Sequence, residues 1–390
     1  MDLNKMGRIT MASAASLAMI FGLTSCARDY TLAYLYVTAQ TPNGGEVLQY
    51  SVDFQTGAVV PFGTPAMAGS NPIASVAAPD AKSIYVVNQG SSTVQPFAVA
   101  DDGILTAGTA VATGGTPTAV AIDALGKFLY VTYTYQAGFS ATNPGPGGVS
   151  IVPINSDGSL GTPSNVNVGN NPVGVAITNF NATLYVLDQE AASAHPQVLA
   201  FTQNTGTGVL TPVAGTTATT GFAAGVVPSA IAEDPTGRFV YVTDQAANQL
   251  IGYVVQSGGG LLAMVNGPFA TGLFPVAVTV DPRGKYVYVT NFNAHTISGY
   301  VLNTATGAPS GVSGNAASTD PNPVAITIEP ALGVYMYTAN NLANTLTGEK
   351  LNASTGALTQ IQNSPYPAQG TPSSVVAVAN GSHPTQALFP

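Results

Sequence analysis

The chain has 390 residues, with 43 Gly, 28 Pro, one Cys and no Trp. Only 7% of the residues are charged and the formal net charge is -9, so there is no basic stripe to follow a phosphate backbone, which argues against a nucleic-acid partner. Beyond the N-terminus no apolar pattern of helical period appears, leaving short strands and tight turns as the building material.

The first segment reads as an address. Lys5 and Arg8 form a short basic region, and the largely apolar run from Ile9 to Leu23 is too short to span a bilayer comfortably. It ends in Leu23-Thr24-Ser25-Cys26, which holds the chain's one cysteine. This resembles a bacterial lipobox, and the resemblance implies a leader of residues 1–25, lipid on Cys26, and a tether of residues 26–32 ahead of a domain of residues 33–390. The expected location is the bacterial cell envelope, at the outer membrane or cell surface, with the membrane as a partner through the lipid.

From residue 33 onward one phrase recurs, clearest at 275–291 as PVAVTVDPRGKYVYVTN. Pro275 has no N–H for a ladder and suits the first residue of a strand. Asp281-Pro282-Arg283-Gly284 has turn chemistry, with Gly284 free to take positive φ. Lys285 to Thr290 is β-branched and aromatic with few polar breaks, as in a strand covered on both faces.

The second strand of the phrase occurs seven times, at Tyr36, Tyr85, Tyr130, Tyr185, Tyr241, Tyr288 and Tyr337, with spacings of 49, 45, 55, 56, 47 and 49 residues. The first strand also occurs seven times, at Pro72, Pro117, Pro172, Pro228, Pro275, Pro323 and Pro372. A third strand follows each tyrosine, as in QLIGYVV (249–255), then a turn with Gly57, Gly103, Gly158, Gly208, Gly259, Gly307 or Gly356. A repeat of this length predicts an all-β, seven-bladed β-propeller of four-stranded antiparallel blades. The chain begins inside a blade, so residues 372–379 are expected to return as that blade's innermost strand and hide the open edges.

These markers resemble the YVTN-repeat and lactonase-type propellers, a family that includes propeller 6-phosphogluconolactonases and surface-layer repeat proteins. The resemblance covers roughly residues 30–380. It implies a site at one end of the central channel, with an Arg-His pair just after such a proline and further Arg and Glu nearby. This sequence departs from that pattern: the residues following the seven prolines, such as Ile73-Ala74 and Thr118-Ala119, are uncharged throughout.

The candidate site residues lie in loops expected at the channel end opposite the Asp-Pro-x-Gly turns. Asp188, Glu190 and Asp244 form a candidate oxygen site for a structural cation such as calcium. Asn291, His295 and Asn340 occupy comparable places, and His195 closes the fourth-blade loop. The same side chains could each cap their own loop, as Asp and Asn do routinely. Tyr133, Tyr135 and Phe139 on the long third-blade loop are expected either as exposed aromatics for a carbohydrate, peptide or protein, or folded over the channel mouth. The triplet Asn181-Ala182-Thr183 matches a glycosylation signal, which lipoprotein context makes incidental. No Ser-His-Asp spacing, phosphate-cradling Gly loop or Cys/His cluster is present. The expected role is an envelope binding module; the alternative is a lactone hydrolase. A polar surface so poor in charge is also expected to tolerate acid.

Overall fold

The structure is a computed structural model and describes residues 30–178, 182–189 and 195–381. Residues 1–29, where the leader and Cys26 are expected, lie outside the described residues, as do Asn181, Glu190 and the tail 382–390. Among those described there is no helix, and the strands form seven separate antiparallel sheets. The innermost strands of successive sheets pack side by side in a closed circle, so the molecule is a seven-bladed propeller.

Blade 5 shows the pattern. Its strands are Pro228–Glu233, Phe239–Asp244, Gln249–Val255 and Leu261–Ala263, paired in that order. The second strand is buried along its whole length, which accounts for its uninterrupted apolar and aromatic run. A further two-residue strand, Phe222–Ala223 before this blade and Phe269–Ala270 within it, pairs the third strand beside the outer one.

The ring closes as the repeat order requires. Thr371–Ala379 pairs antiparallel with Thr31–Thr41, with Val375 opposite Val37, Val376 opposite Tyr36 and Ala377 opposite Leu35. Blade 1 is therefore built from both ends of the chain, and no innermost strand is left unpaired.

The marker tyrosines hold neighbouring blades together. Each is buried, and each hydroxyl donates to the carbonyl of the hairpin glycine in the following blade. The partners run Tyr36 to Gly103, Tyr85 to Gly158, Tyr130 to Gly208, Tyr185 to Gly259, Tyr241 to Gly307, Tyr288 to Gly356 and, across the closure, Tyr337 to Gly57. Burial raises the pKa of all seven hydroxyls, so they remain donors. Gly57 is needed twice over: its φ is +73, and a Cβ there would lie 2.3 Å from the Tyr335 ring of blade 7. Close approach between blades, as well as turn conformation, demands glycine.

The Asp-Pro turns gather at the opposite end from the hairpins that join second and third strands. Asp281 Oδ1 accepts from the N–H groups of Lys285 (2.6 Å) and Tyr286 (2.7 Å). Asp234 and Asp123 do the same in blades 5 and 3, and Glu329 takes the role in blade 7. We call this the turn end and the other the hairpin end.

Candidate functional site

At the hairpin end, the third residue after each marker tyrosine occupies one repeat position: Ala39, Asn88, Tyr133, Asp188, Asp244, Asn291 and Asn340. All seven are buried, because the loop entering the same blade crosses over them. Asp188 accepts from the backbone N–H groups of Asn170 and Asn171. Asp244 accepts from Val226, Val227, Ala246 and Ala247. Asn291 accepts from Gly272 N–H and donates to Thr296 and Ser298. Asn340 donates to Thr345 and Thr347. These four predicted site residues therefore serve as clasps within their own blades: Asp188, Asp244 and Asn291 tie down the entering loop, and Asn340 ties the third strand. Among the described residues no three His, Cys, Asp or Glu side chains come together to hold a metal.

Tyr133 requires a correction as an exposed aromatic. The second strand of blade 3 extends over Phe128–Tyr135, Tyr133 is 1% exposed, and its hydroxyl donates to Val166 O. It fills the clasp position with a ring in place of an amide, and Gly114 and Gly148 make room for it. Tyr135 ends that strand half-buried opposite Gly115, while Phe139 stays exposed.

The two histidines belong to different blades. His195 is exposed just before the third strand of blade 4. His295 sits at φ +56 in the blade 6 hairpin, and its Nδ1 accepts from Asn322 N–H at 3.1 Å. Asn248 and Ser92 hold the same hairpin position and accept in the same way from Phe274 and Thr116. With Nδ1 engaged as acceptor, a neutral His295 ring carries its proton on Nε2 and presents a donor rather than a base.

The channel rim at this end is shaped by seven β-bulges, one after each innermost-strand proline. A bulge re-aims the extra side chain, here toward the next blade. In blades 1, 3 and 5 that residue is a hydroxyl, Ser373, Thr118 or Ser229, and it donates to the proline carbonyl of the next blade. In blades 2, 4 and 7 it is Ile73, Val173 or Val324, and an amide from the hairpin, Gln89, Gln189 or Asn341, donates instead. Blade 6 has neither, since Val276 and Phe292 occupy the two positions. Phe292 meets Phe274 there, with ring centroids 5.9 Å apart. Phe274 itself is held at φ +59 immediately before Pro275, a conformation unfavourable for a bulky side chain. In blade 5 Ser229 already serves the carbonyl, so the Gln245 amide is spare. Phe274 and Gln245 carry no charge, and only their difference from the equivalent positions of the other blades marks them in the sequence.

Charge is segregated. The six Lys and Arg among the described residues, Lys82, Lys127, Arg238, Arg283, Lys285 and Lys350, all lie toward the turn end, in turns or beside the feet of second strands. A cavity of about 820 Å³ is also at that end, between blades 2 and 3. It is lined by Lys82, Lys127, Asp80 and Asp157, charges of both signs with no convergent set.

Comparison with known proteins accords with this architecture. No curated protein matches the sequence. Among solved structures, a protein of Bacteroides uniformis provisionally assigned as a 6-phosphogluconolactonase superposes with a TM-score of 0.74 at 20% identity, covering 90% of this chain and 100% of that one. A similarly assigned protein of Bacteroides fragilis gives 0.74 at 21% identity, covering 90% and 99%. The periplasmic gluconolactonase of Pseudomonas aeruginosa gives 0.71 at 19% identity, covering 90% and 99%. At these identities the likeness establishes the fold. The family described as "Lactonase, 7-bladed beta-propeller" matches residues 34–179 and 182–328, most of the chain. The chain belongs to that family of seven-bladed lactonase propellers.

Proposed function

We propose that the protein is a lipid-anchored envelope propeller whose hairpin-end rim binds an uncharged carbohydrate or sugar lactone. One observation carries this reading: the rim offers hydroxyls, amides and a phenylalanine pair, while every described cation lies toward the other end. An anionic phosphosugar needs Arg or Lys at its phosphate. A neutral sugar needs hydrogen-bonding groups and an aromatic face. The blade 5–6 sector supplies them as Gln245, Phe274, Phe292 and His295 Nε2.

Titration of the mature chain with glucono-lactone, neutral oligosaccharides and a 6-phosphosugar tests the reading. Saturable binding of a neutral compound, lost on Gln245→Ala or Phe292→Ala, supports it. Preference for the phosphorylated compound overturns it.

Lactone hydrolysis is the second reading, favoured by family membership. It requires a group to activate water and a donor for the carbonyl oxygen. His295 Nε2 fits the donor role. Turnover of glucono-lactone that falls at least tenfold in His295→Leu but survives in His295→Gln would place the chain among the active hydrolases. Binding without turnover would leave it a binding module. The anchor is tested separately, by labelled-palmitate incorporation that disappears in Cys26→Ser.

A further inference from the structure

Laying the seven innermost strands over one another isolates a single side chain. Counting the proline as first, the sixth residue is Ala77, Ile122, Ile177, Glu233, Val280, Ile328 or Ala377. Six of these are aliphatic and one is a carboxylic acid. A half-buried acid introduced into an otherwise apolar repeat position is costly unless something compensates it.

Glu233 lines a cavity of about 420 Å³ at the turn end of the central pore. The walls include Val76, Val120, Ile177 and Val280, with the hydroxyl-bearing Thr279 among them, and no lysine or arginine lines it. Glu233 Oε2 is sealed from solvent with no hydrogen-bond partner, which leaves Oε1 as the oxygen open to the cavity. Asp123, the other acid of the lining, is already committed through Oδ1 to the N–H groups of Lys127 and Phe128. Burial, reinforced by the Asp234 charge in the adjoining turn, holds the Glu233 carboxyl well above its usual range. The Tyr185 hydroxyl, which feels the Glu233 charge from blade 4, donates to Gly259 O and supplies no proton to it.

The geometry points to a second ligand site: the turn end of the pore takes a small alkylammonium ion, its aliphatic body against the Val and Ile walls and its charged head on Glu233. An anion would meet only carboxylates. A divalent metal needs about six oxygens, whereas Glu233 is the one uncommitted acid on the lining. A cation is drawn by the Asp234 charge and gains a partner in a medium of low dielectric. On binding, the ammonium keeps its protons and the Glu233 carboxyl releases its own to the buffer.

The test is calorimetric titration of the full chain with n-butylammonium chloride at neutral pH, in two buffers of different ionisation enthalpy. Saturable one-to-one binding with proton release is expected. Affinity should fall at least tenfold in Glu233→Gln and in Glu233→Val, the second being the residue blade 6 already accommodates at this position. Butanol and hexanoate should each bind at least tenfold more weakly than the amine. Undiminished binding in either variant, equal binding of butanol, or no saturable binding of the amine overturns the proposal. None of these outcomes bears on the hairpin-end site, which is probed with sugars.

Discussion

The two ends of this propeller are made from the same seven repeats, yet they handle polar groups differently. At the hairpin end, Asp188, Asp244, Asn291 and Asn340 are buried and their hydrogen bonds close within their own blades. At the turn end, Asp123, Asp234 and Asp281 do comparable work. Beside them, however, are glutamates that no repeat position requires. Glu233 stands among aliphatic equivalents, and Glu349, in the third strand of blade 7, stands where blades 1, 2, 4, 5 and 6 have Tyr50, Phe97, Phe201, Tyr253 and Tyr300. Recurrence of a polar residue marks scaffold, and departure from the repeat marks what the scaffold does not explain.

The largest expected effect comes from removing the strand on which both ends depend. Deleting residues 371–390 exposes the ladder of Ala33–Gln40 and opens the ring. Circular dichroism and calorimetry should show loss of the single cooperative transition; a chain that still unfolds cooperatively would refute closure as the basis of stability.

Next is the contrast between a scaffold carboxylate and a surface one at the same end. Asp281 is fully buried, caps two N–H groups and pairs with Arg283 Nε at 2.7 Å. Asp281→Ala leaves those donors unsatisfied and should cost about 3–4 kcal/mol. Asp80 is exposed and caps Lys82 N–H, so Asp80→Ala should change stability by less than about 0.5 kcal/mol. Urea unfolding of the two variants side by side checks the contrast, and similar losses would dissolve it.

Glu349 sharpens the distinction with pH. It is 2% exposed, its Oε2 has no partner, and burial pushes its pKa up to about 7. The folded pKa lies above the unfolded value, so folded chain holds the proton more tightly. This contribution is fully present below about pH 4.5 and is lost as pH rises toward and through 7, reaching about 3 kcal/mol at pH 8. Glu349→Tyr, the residue of blades 1, 5 and 6, should therefore raise stability at pH 8 by up to about 3 kcal/mol and change it little at pH 4. A gain independent of pH would point to packing alone. Burial also raises Glu233 and Glu329, which pushes in the same direction.

The smallest effect belongs to a single latch. Tyr337→Phe removes the bond to Gly57 O at 2.6 Å and should cost about 1–2 kcal/mol. Because this latch bridges blades 7 and 1, hydrogen exchange should quicken in Thr31–Thr41 and Tyr335–Asn340. Uniform acceleration over all blades would show that the latches act only collectively.

Much of this was legible in the order of residues. The seven tyrosines, the seven prolines and the hairpin glycines each mark a local requirement, for a covered strand, a strand start or a positive φ. The position of the first tyrosine ahead of the first proline already implied a closing strand. The site was far less legible. Tyr133 reads as part of a long loop, but the glycines at 114 and 148 that open a slot for its ring are remote from it in sequence. Asp188 and Asp244 read as a cation pair because their loop donors, some 17 or 18 residues upstream, cannot be identified by composition. Glu233 stands five residues beyond Pro228, inside a strand whose first residues are uncharged and give no local signal of it.

By itself the sequence determined the number of blades, the strand order within each, the turn chemistry and the latch between the two ends of the chain, since these rest on periodicity and on conformational rules within a few residues. Only the tertiary structure decided which polar groups are already satisfied and which are left over. Satisfaction depends on donors and acceptors remote in sequence, brought from the entering loop of the same blade or from the next blade, and that pairing exists only once the blades are folded and the ring is closed.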